Sequence, residues 1–361
     1  MSGNRHVYRH INSELRQLYP DQMNGNQVRH LNTLAAMIAG IVLSQQSHLE
    51  KIARKMPSKT QVESRIKRFT RFNQHEEIDA EHYFLPFVMP LITTLATTGV
   101  LTLAIDGSVT GRGCITLMVS IIYQKRAIPI AWVTVKGKKG HLPEETHVAL
   151  MQRVQPLIPP ECTVIFLGDG EFDGLDLLRA IEDAGWKYVC RTGCNRVITD
   201  DGDTFSLSEL CLKPGDMVEM AQVEFGIDCA SIELVIAWWH KDYDKPIFLV
   251  SNMLCAEEAC YFYRRRFRIE TFFSDQKSRG FNLQRSHIAD NERIERFLIA
   301  TCLAYIWMIY LGVQVRGRPD VMKIIHRTDR CDLSLFQLGL RYFEHLINHE
   351  ILITFSLEIP A

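Results

Sequence analysis

The sequence has no excess of charge of either sign. Its 361 residues include 41 lysines and arginines against 42 aspartates and glutamates, a formal net charge of −1. This sum excludes a uniformly basic, chromatin-type polypeptide, although it does not exclude local patches of charge. The chain also has no internal repeats and no low-complexity tracts. We therefore expect a globular protein of two or three domains with substantial cores.

Segments that direct a chain into or across a membrane are also lacking. Residues 1–17 contain no apolar run and no small-residue cleavage site, so we expect a cytoplasmic protein. Phe297–Val313 has no charged residue, but about seventeen residues is at the short limit for crossing a bilayer. We expect a buried core helix there and no membrane partner. The ten cysteines are scattered through a long chain, which favours free thiols over a disulfide framework.

Charge is instead segregated along the chain. Residues 1–75 contain twelve lysines and arginines against four acidic residues, a net of +8. Residues 197–245 contain three lysines against eleven acidic residues, a net of −8. The near-neutral total therefore hides a basic N-terminal region and an acidic middle region.

Hydrophobic patterning divides the chain into five regions. Helical spacing dominates residues 1–98, and residues 99–190 show strand and helix patterns in the order β-β-β-α-β-α-β. Short alternating runs over 191–254 predict a β-rich insertion, helical periodicity returns over 255–315, and 316–361 form a C-terminal region. Because ribonuclease-H-like domains show that order, we predict an α/β fold: a ribonuclease-H-like core, interrupted by the insertion and preceded by an all-helical domain.

Two aspartates stand at the predicted ends of apolar strands. Asp106 closes one strand and Asp169 another, and each is followed by a glycine, Gly107 or Gly170. Such glycines would let the backbone turn sharply and leave room for a ligand beside each carboxylate. Asp-Gly is also ordinary turn chemistry, so both interpretations stay open for either aspartate taken alone.

A third acidic residue lies in a strongly basic, aromatic segment. In a continuous helix of about 100° per residue, Tyr263, Arg266, Glu270 and Lys277 would share one stripe about 60° wide. A solvated, salt-bridged helix is the usual explanation of a charge run. The single glutamate at the centre of the basic stripe favours a functional role instead.

These four residues have the spacing Y-x2-R-x3-E-x6-K, which resembles the YREK signature of the "insertion sequence four" family of DDE transposases. The two aspartates and the β-rich region occur in the order of that family, and the resemblance covers about residues 30–315. It implies a DNA transposase that binds the terminal inverted repeats of its element, cleaves DNA strands, forms a hairpin and transfers strands. It implies catalysis and metal binding by Asp106, Asp169 and Glu270, and DNA contacts by Tyr263, Arg266 and Lys277.

The chemistry of the three carboxylates agrees with this interpretation. Hydrolysis and strand transfer need an activated oxygen nucleophile and a neutralised leaving oxygen, and two Mg²⁺ ions, or Mn²⁺ as a substitute, supply both. Such hard cations prefer carboxylate oxygens. The expected partners are double-stranded DNA, as transposon end and as target, and a second copy of the chain when assembled on DNA. Two alternatives stay open: a ribonuclease-H-like nuclease, and an inactive DNA-binding descendant.

Cations elsewhere are candidates for DNA phosphates. A basic loop after the third strand and a predicted N-terminal helix either contact DNA or are merely solvated. Two further arginines flank the signature. The candidates are Lys136, Lys138 and Lys139 in the loop, Arg65, Lys67 and Arg68 on the helix, and Arg264 and Arg268 beside the signature.

Two tryptophans are candidates for stacking an extruded base at the hairpin that the resemblance implies. Trp238 and Trp239 are adjacent on a predicted strand, so their side chains would point to opposite faces. A purely structural role for both is the alternative. Cysteine pairs on either side of the insertion match a zinc site only loosely. The glycines around Asp169 imitate a dinucleotide fingerprint, but Asp169 and Glu171 would repel a pyrophosphate.

Overall fold

The computed structural model describes residues 3–19, 23–137, 142–226, 229–326, 332–351 and 353. Within these ranges, six helices precede the first strand, and the first, third and fourth of them pack against the apolar second helix. This confirms the prediction of a helical N-terminal region. The helices are α1 (Gly3–Gln17), α2 (Gly25–Ser44), α3 (Leu49–Lys55), α4 (Val62–Gln74), α5 (Ala80–Tyr83) and α6 (Leu85–Ala96).

The strands of the described ranges form one mixed sheet. Their order is β3-β2-β1-β4-β5-β10-β9-β8-β6-β7, with parallel pairing of β1 to β4 and of β4 to β5 and antiparallel pairing elsewhere. The first five strands follow the arrangement expected of a ribonuclease-H-like core. The strands are β1 (Val100–Gly111), β2 (Cys114–Tyr123), β3 (Arg126–Lys136), β4 (Thr163–Gly168), β5 (Lys187–Thr192), β6 (Val197–Asp200), β7 (Asp203–Ser206), β8 (Met217–Phe225), β9 (Ala230–Trp238) and β10 (Ile247–Ser251).

The β-rich segment widens this same sheet. Strand β10 pairs antiparallel with β5, with Val250 opposite Cys190, and β9 and β8 follow outward from β10. All five residues of β10 are buried, whereas β8 is largely exposed and buries only Met220, Val223 and Phe225. The alternating pattern of β8 is that of a strand with one solvated face.

Seven helices complete the described fold. Strand β1 contacts both α6 and α10, and α10 also contacts β3. This places α10 across the sheet next to β1. The helices are α7 (Glu144–Val154), α8 (Leu175–Asp183), α9 (Ala256–Tyr263), α10 (Arg268–Gln276), α11 (Asn291–Arg316), α12 (Pro319–Ile325) and α13 (Leu335–Asn348).

Helix α11 is the central core helix. By length and composition it could cross a membrane, but 89% of its most apolar eighteen-residue window is buried inside the fold. It contacts α2 and α4 of the N-terminal region, strand β3 of the sheet, and α13 near the C-terminus. Helix α13 comes so close that a Cβ atom at Gly339 would lie 1.8 Å from the carbonyl oxygen of Met308. Glycine is therefore required at this crossing.

Candidate active site

Asp106 lies where β1 extends beyond its pairing with β4 but is still paired with β2. The parallel ladder with β4 runs only as far as the pair Ala104–Leu167, while the antiparallel ladder with β2 continues through Asp106 to Gly111. The prediction that the strand ends at Asp106 and turns at Gly107 is therefore wrong, because pairing with β2 keeps the chain extended. The carboxylate stands beside the end of β4, where the sheet opens a notch.

Asp169 follows directly from the end of β4 and borders that notch. Its Oδ1 accepts a hydrogen bond from the backbone N–H of Glu171 (3.1 Å), and its carbonyl oxygen accepts one from Phe172 (3.0 Å). Gly168 permits this tight turn, since a Cβ atom there would lie 2.6 Å from the Cβ of Phe172. The first bond orients the Asp169 carboxylate, and the second closes the backbone turn that carries it.

The segment that carries Glu270 is not one helix. Helix α9 ends at Tyr263 and α10 begins at Arg268, so the prediction of a continuous helix is wrong. Backbone N–H groups in between donate to the carbonyl three residues back, for example Arg266 to Tyr263 (2.9 Å) and Glu270 to Phe267 (3.1 Å). Such bonds wind the chain more tightly than an α-helix, which changes the angles that 100° per residue assumes.

Three of the four signature residues, Tyr263, Arg266 and Glu270, nevertheless meet, and Lys277 lines the same cleft as Glu270. The guanidinium of Arg266 lies 6.0 Å from the ring centre of Tyr263 and donates to Glu270 Oε1 (2.6 Å). Its other terminal nitrogen is 3.9 Å from Asp169 Oδ2. Lys277, the residue after α10, donates from Nζ to Ser108 Oγ (2.6 Å), on the strand of Asp106. Arg266 and Lys277 thus connect the Glu270 segment to both aspartate strands.

Glu270 and Lys277 of the signature line one open cleft of about 580 Å³ together with Asp106 and Asp169, whereas Tyr263 and Arg266 are not among its lining residues. Four apolar side chains, those of Val109, Ile115, Leu142 and Phe273, form part of its lining. The polar side chains that line it are Asp106, Ser108, Asp169, Glu171, Glu270, Ser274 and Lys277.

Burial and the charge of a neighbouring carboxylate perturb the pKa of Asp106. Desolvation, and next the charge of Asp169, raise the pKa of Asp106 from 3.8 to about 7, although Arg266 opposes the rise. Burial also raises the pKa of Tyr263 to about 12, so its phenol stays neutral beneath Arg266. A carboxyl group that resists ionisation next to a second carboxylate marks a site that a cation would complete.

The donor set fits a hard divalent cation by its chemistry. Asp106, Asp169 and Glu270 offer only oxygen ligands to the cleft, which suit Mg²⁺ or Mn²⁺. Within the described part of the chain, however, no three Asp, Glu, His or Cys side chains are grouped closely enough to hold one ion together. Glu270 is instead held by Arg266 at 2.6 Å. The three carboxylates share the cleft without converging on one point.

The N-terminal arginines have partners within the protein. Arg65 donates to the carbonyl oxygens of Ala53 and Met56 and to those of the loop before α4, and Arg68 Nε donates to Thr33 Oγ1 (2.9 Å). Both side chains therefore hold the helical region together, which the expectation of DNA contact did not foresee. Between them, Lys67 is exposed.

The remaining cations divide by environment. Lys136 is exposed at the end of β3, whereas Lys138 and Lys139 lie outside the described residues. Arg264 is exposed at the start of the turn, and the guanidinium of Arg268 lies 4.5 Å from the ring centre of Phe267. Arg264 and Arg268 are therefore on the segment that borders the cleft.

The two tryptophans lie at the end of β9. Trp238 is buried, and its ring meets those of His240 and Tyr243 edge-on, each at 5.3 Å. Trp239 is half-buried and donates from Nε1 to the carbonyl oxygen of Tyr243 (3.0 Å). Neither is among the residues found to line the 580 Å³ cleft. The cysteines around this region form no metal-binding group within the described ranges.

Sequence reasoning missed three polar residues of the cleft, Ser108, Glu171 and Ser274. Ser108 follows Asp106 by two positions on a strand, so an Asp-x-Ser pattern in an apolar strand was the available signal. Glu171 accepts a hydrogen bond from the backbone N–H of Leu142 (2.7 Å) and lies 3.7 Å from the buried Nε2 of His147. No local sequence pattern predicts these two contacts, because Leu142 and His147 lie well before Glu171 in the chain and approach it only in the folded structure.

Comparison with known proteins assigns the family. Residues 93–307, more than half of the chain, match the family model described as "Transposase DDE domain". No curated protein matches the sequence. One solved structure, a piggyBac transposase synaptic complex with hairpin DNA, aligns over 97% of this chain and 78% of its own, with 10% identity and a TM-score of 0.44. On the match of residues 93–307, the chain belongs to the DDE transposase domain family, whose activity is phosphoryl transfer on DNA.

Proposed function

We propose that this protein is a cut-and-paste transposase of the YREK-signature, "insertion sequence four" group. It binds the terminal inverted repeats of its own element, cleaves the strands there, passes through a hairpin and joins the ends to target DNA. The observation that carries this proposal is that Lys277 lines one cleft with Asp106, Asp169 and Glu270, while Arg266 pairs with Glu270 and approaches Asp169 beside it. A nuclease of the same fold would need the carboxylates but not these companion cations.

Each residue has a definable task at the cleft. Asp106, Asp169 and Glu270 would hold Mg²⁺ or Mn²⁺, which when bound activates the attacking oxygen and neutralises the leaving one. Lys277, whose ammonium group is hydrogen-bonded to Ser108 on the strand of Asp106, would offer that group to a phosphate of the bound DNA strand. Arg266, stacked on Tyr263, offers a planar donor that matches a phosphate in two places.

The surrounding surface supplies further DNA contacts in this proposal. Lys136, Arg264, Arg268 and Lys67 add cations outside the cleft, and double-stranded DNA is the partner as both element end and target. The helical region 1–98 binds the element end, and two copies of the chain assemble on DNA. The protein acts in the cytoplasm.

The hairpin step assigns a role to one of the adjacent tryptophans. A sharp backbone bend extrudes a base, and aromatic stacking worth roughly 1–3 kcal/mol per base offsets part of that cost. Trp239 is the more accessible of the two rings. Trp239 donates to Tyr243, whose pKa burial raises and the nearby charges of Arg264 and Arg266 lower, and this supports a position near the signature segment.

A cleavage assay on the element's own ends tests the proposal. The DNA that brackets the gene should contain short inverted repeats, and wild-type protein with Mg²⁺ should cut end-labelled duplexes at their outer boundary. Asp169→Ala and Glu270→Ala should bind the same duplex and leave it uncut. The exposed Asp176 on α8 provides the matched control, so Asp176→Ala should cut normally. Normal cutting by Asp169→Ala would contradict the proposal.

A further inference from the structure

Arg266 occupies the space between carboxylates where the proposed function expects a divalent cation. Its guanidinium is bonded to Glu270 Oε1 at 2.6 Å and approaches Asp169 Oδ2 at 3.9 Å, so it links two of the three acidic residues. Only 14% of its side chain is exposed, whereas that of Glu270 is 54% exposed. The buried Arg266 is therefore the fixed partner of this ion pair, and the exposed Glu270 side chain turns toward it.

The guanidinium is held firmly but is incompletely satisfied. Its Nη1 is buried and has no hydrogen-bond acceptor, since 3.9 Å to Asp169 is beyond hydrogen-bond length. A buried N–H without an acceptor lowers stability, so this position favours a ligand that brings an oxygen atom. A DNA phosphate offers two oxygens to one guanidinium and would satisfy this nitrogen as well as the one now bonded to Glu270.

We infer that Arg266 serves as the internal cation of the site before metal binds. In this role it competes with the divalent ion for Glu270 until a DNA phosphate replaces Glu270 as the partner of the arginine. This inference rests on the proposed function, because it presumes that the carboxylates bind metal and that Arg266 meets DNA. It accounts for the absence, within the described residues, of three carboxylates grouped for one ion. The site becomes complete only when Glu270 exchanges its partner.

Such competition couples metal binding to DNA binding. Since DNA that withdraws Arg266 frees Glu270 for metal, metal and DNA must each raise the affinity for the other by the same factor. Cleavage is thereby suppressed at sites where no phosphate is seated on Arg266. Arg266 acts here as a positioning residue for Glu270.

Direct Mn²⁺ titration of the DNA-free, full-length protein, followed by electron paramagnetic resonance of the free ion, tests this inference. Arg266→Gln should bind Mn²⁺ about tenfold more tightly than wild type, within the roughly 5–150-fold coupling typical between two sites. Adding the inverted-repeat duplex should tighten Mn²⁺ binding about tenfold for wild type and less than about twofold for Arg266→Gln. Arg266→Lys, which keeps the charge but loses the planar fork, should show a smaller gain.

A neighbouring arginine separates competition from a general change in charge. Arg265 lies in the same turn but over the ring of Tyr261, at 5.7 Å, so Arg265→Gln should leave Mn²⁺ affinity near wild type. Equal or weaker Mn²⁺ binding by Arg266→Gln, with binding abolished in Asp169→Ala, would overturn the inference and leave the proposed function standing. Undiminished Mn²⁺ binding by Asp169→Ala would instead overturn the metal site itself. Thermal melting in EDTA identifies any variant that fails to fold.

Discussion

Neutralising Asp106 should stabilise the metal-free protein while destroying its activity. In Asp106→Asn the side chain keeps its shape, and its oxygen can still accept the hydrogen bond that Gly107 N–H donates to Asp106 Oδ1 at 2.7 Å. The substitution removes a carboxyl group whose ionisation is disfavoured by burial and by the charge of Asp169. The native aspartate is therefore retained at the expense of stability, as catalytic groups often are.

The pKa of Asp106 sets the size and the pH dependence of this effect. The folded protein holds the proton up to about pH 7, whereas the unfolded chain releases it near the ordinary value of 3.8. Unfolding thus releases a proton between these values, and the wild-type free energy of unfolding falls as the pH rises from about 4 to about 7. At about 1.4 kcal/mol per pH unit, the full loss is about 4 kcal/mol.

Urea denaturation in EDTA measures this difference. Asp106→Asn should be more stable than wild type by about 4 kcal/mol at pH 8, and the gap should be about 3 kcal/mol smaller at pH 5. Mg²⁺ should narrow the gap at pH 8, because a cation neutralises the wild-type carboxylate. The exposed Asp176 serves as control, with a change under about 1 kcal/mol for Asp176→Asn. A gap at pH 8 that is absent or of opposite sign would refute the reasoning.

Three further substitutions have defined outcomes. Lys277→Ala should slow strand cleavage more than it weakens end binding. The slope of binding affinity against salt concentration should fall by about one phosphate contact. An unchanged cleavage rate would remove Lys277 from the site. Glu171→Ala leaves the Leu142 N–H without its acceptor, so urea denaturation should show a loss of roughly 1–3 kcal/mol that Glu171→Gln largely restores; equal losses in both variants would exclude the hydrogen bond as the cause. Trp239→Ala should permit the first nick and block the hairpin on denaturing gels, whereas the buried Trp238→Ala should chiefly lower stability, by roughly 3–5 kcal/mol; wild-type hairpin yields from both would refute stacking by either ring.

The sequence predicts which strands are present better than it predicts the residues at which they end. The strands around Asp106 and Asp169 are detectable because apolar runs of five to ten residues are buried on both faces. The residue at which β1 ends is not detectable from the sequence. It depends on how far β2 continues as the hydrogen-bonded partner of β1, which is a property of the whole sheet. The same limit applies to the β-rich segment, whose alternation predicts strands but not their attachment to β5.

Helical periodicity also has a physical limit at the signature segment. A wheel of 100° per residue assumes unbroken i→i−4 bonding, and the turn between α9 and α10 replaces these bonds with i→i−3 bonds. Tyr263 and Arg266 still meet because three residues make one turn of the tighter winding. Lys277 reaches the site through its long side chain, although it lies beyond the last residue of α10.

Long-range polar contacts account for what the sequence could not predict. Nothing near Arg65 indicates that its guanidinium closes the chain between α3 and α4, so an exposed basic helix was the natural expectation. Glu171 depends in the same way on Leu142, about thirty residues earlier in the chain. Such contacts are determined by tertiary packing, which one sequence without its fold does not reveal.

The proposed function requires that Asp169 be a ligand of the catalytic metal ion, and a change of metal preference tests this role most directly. A thiolate is a poor ligand for Mg²⁺ and a better one for softer ions. Asp169→Cys should therefore leave the element end uncut in Mg²⁺ and regain measurable cleavage in Mn²⁺, raising the ratio of Mn²⁺-supported to Mg²⁺-supported rates far above that of wild type. A ratio equal to that of wild type, or no cleavage in either metal, would contradict the assignment.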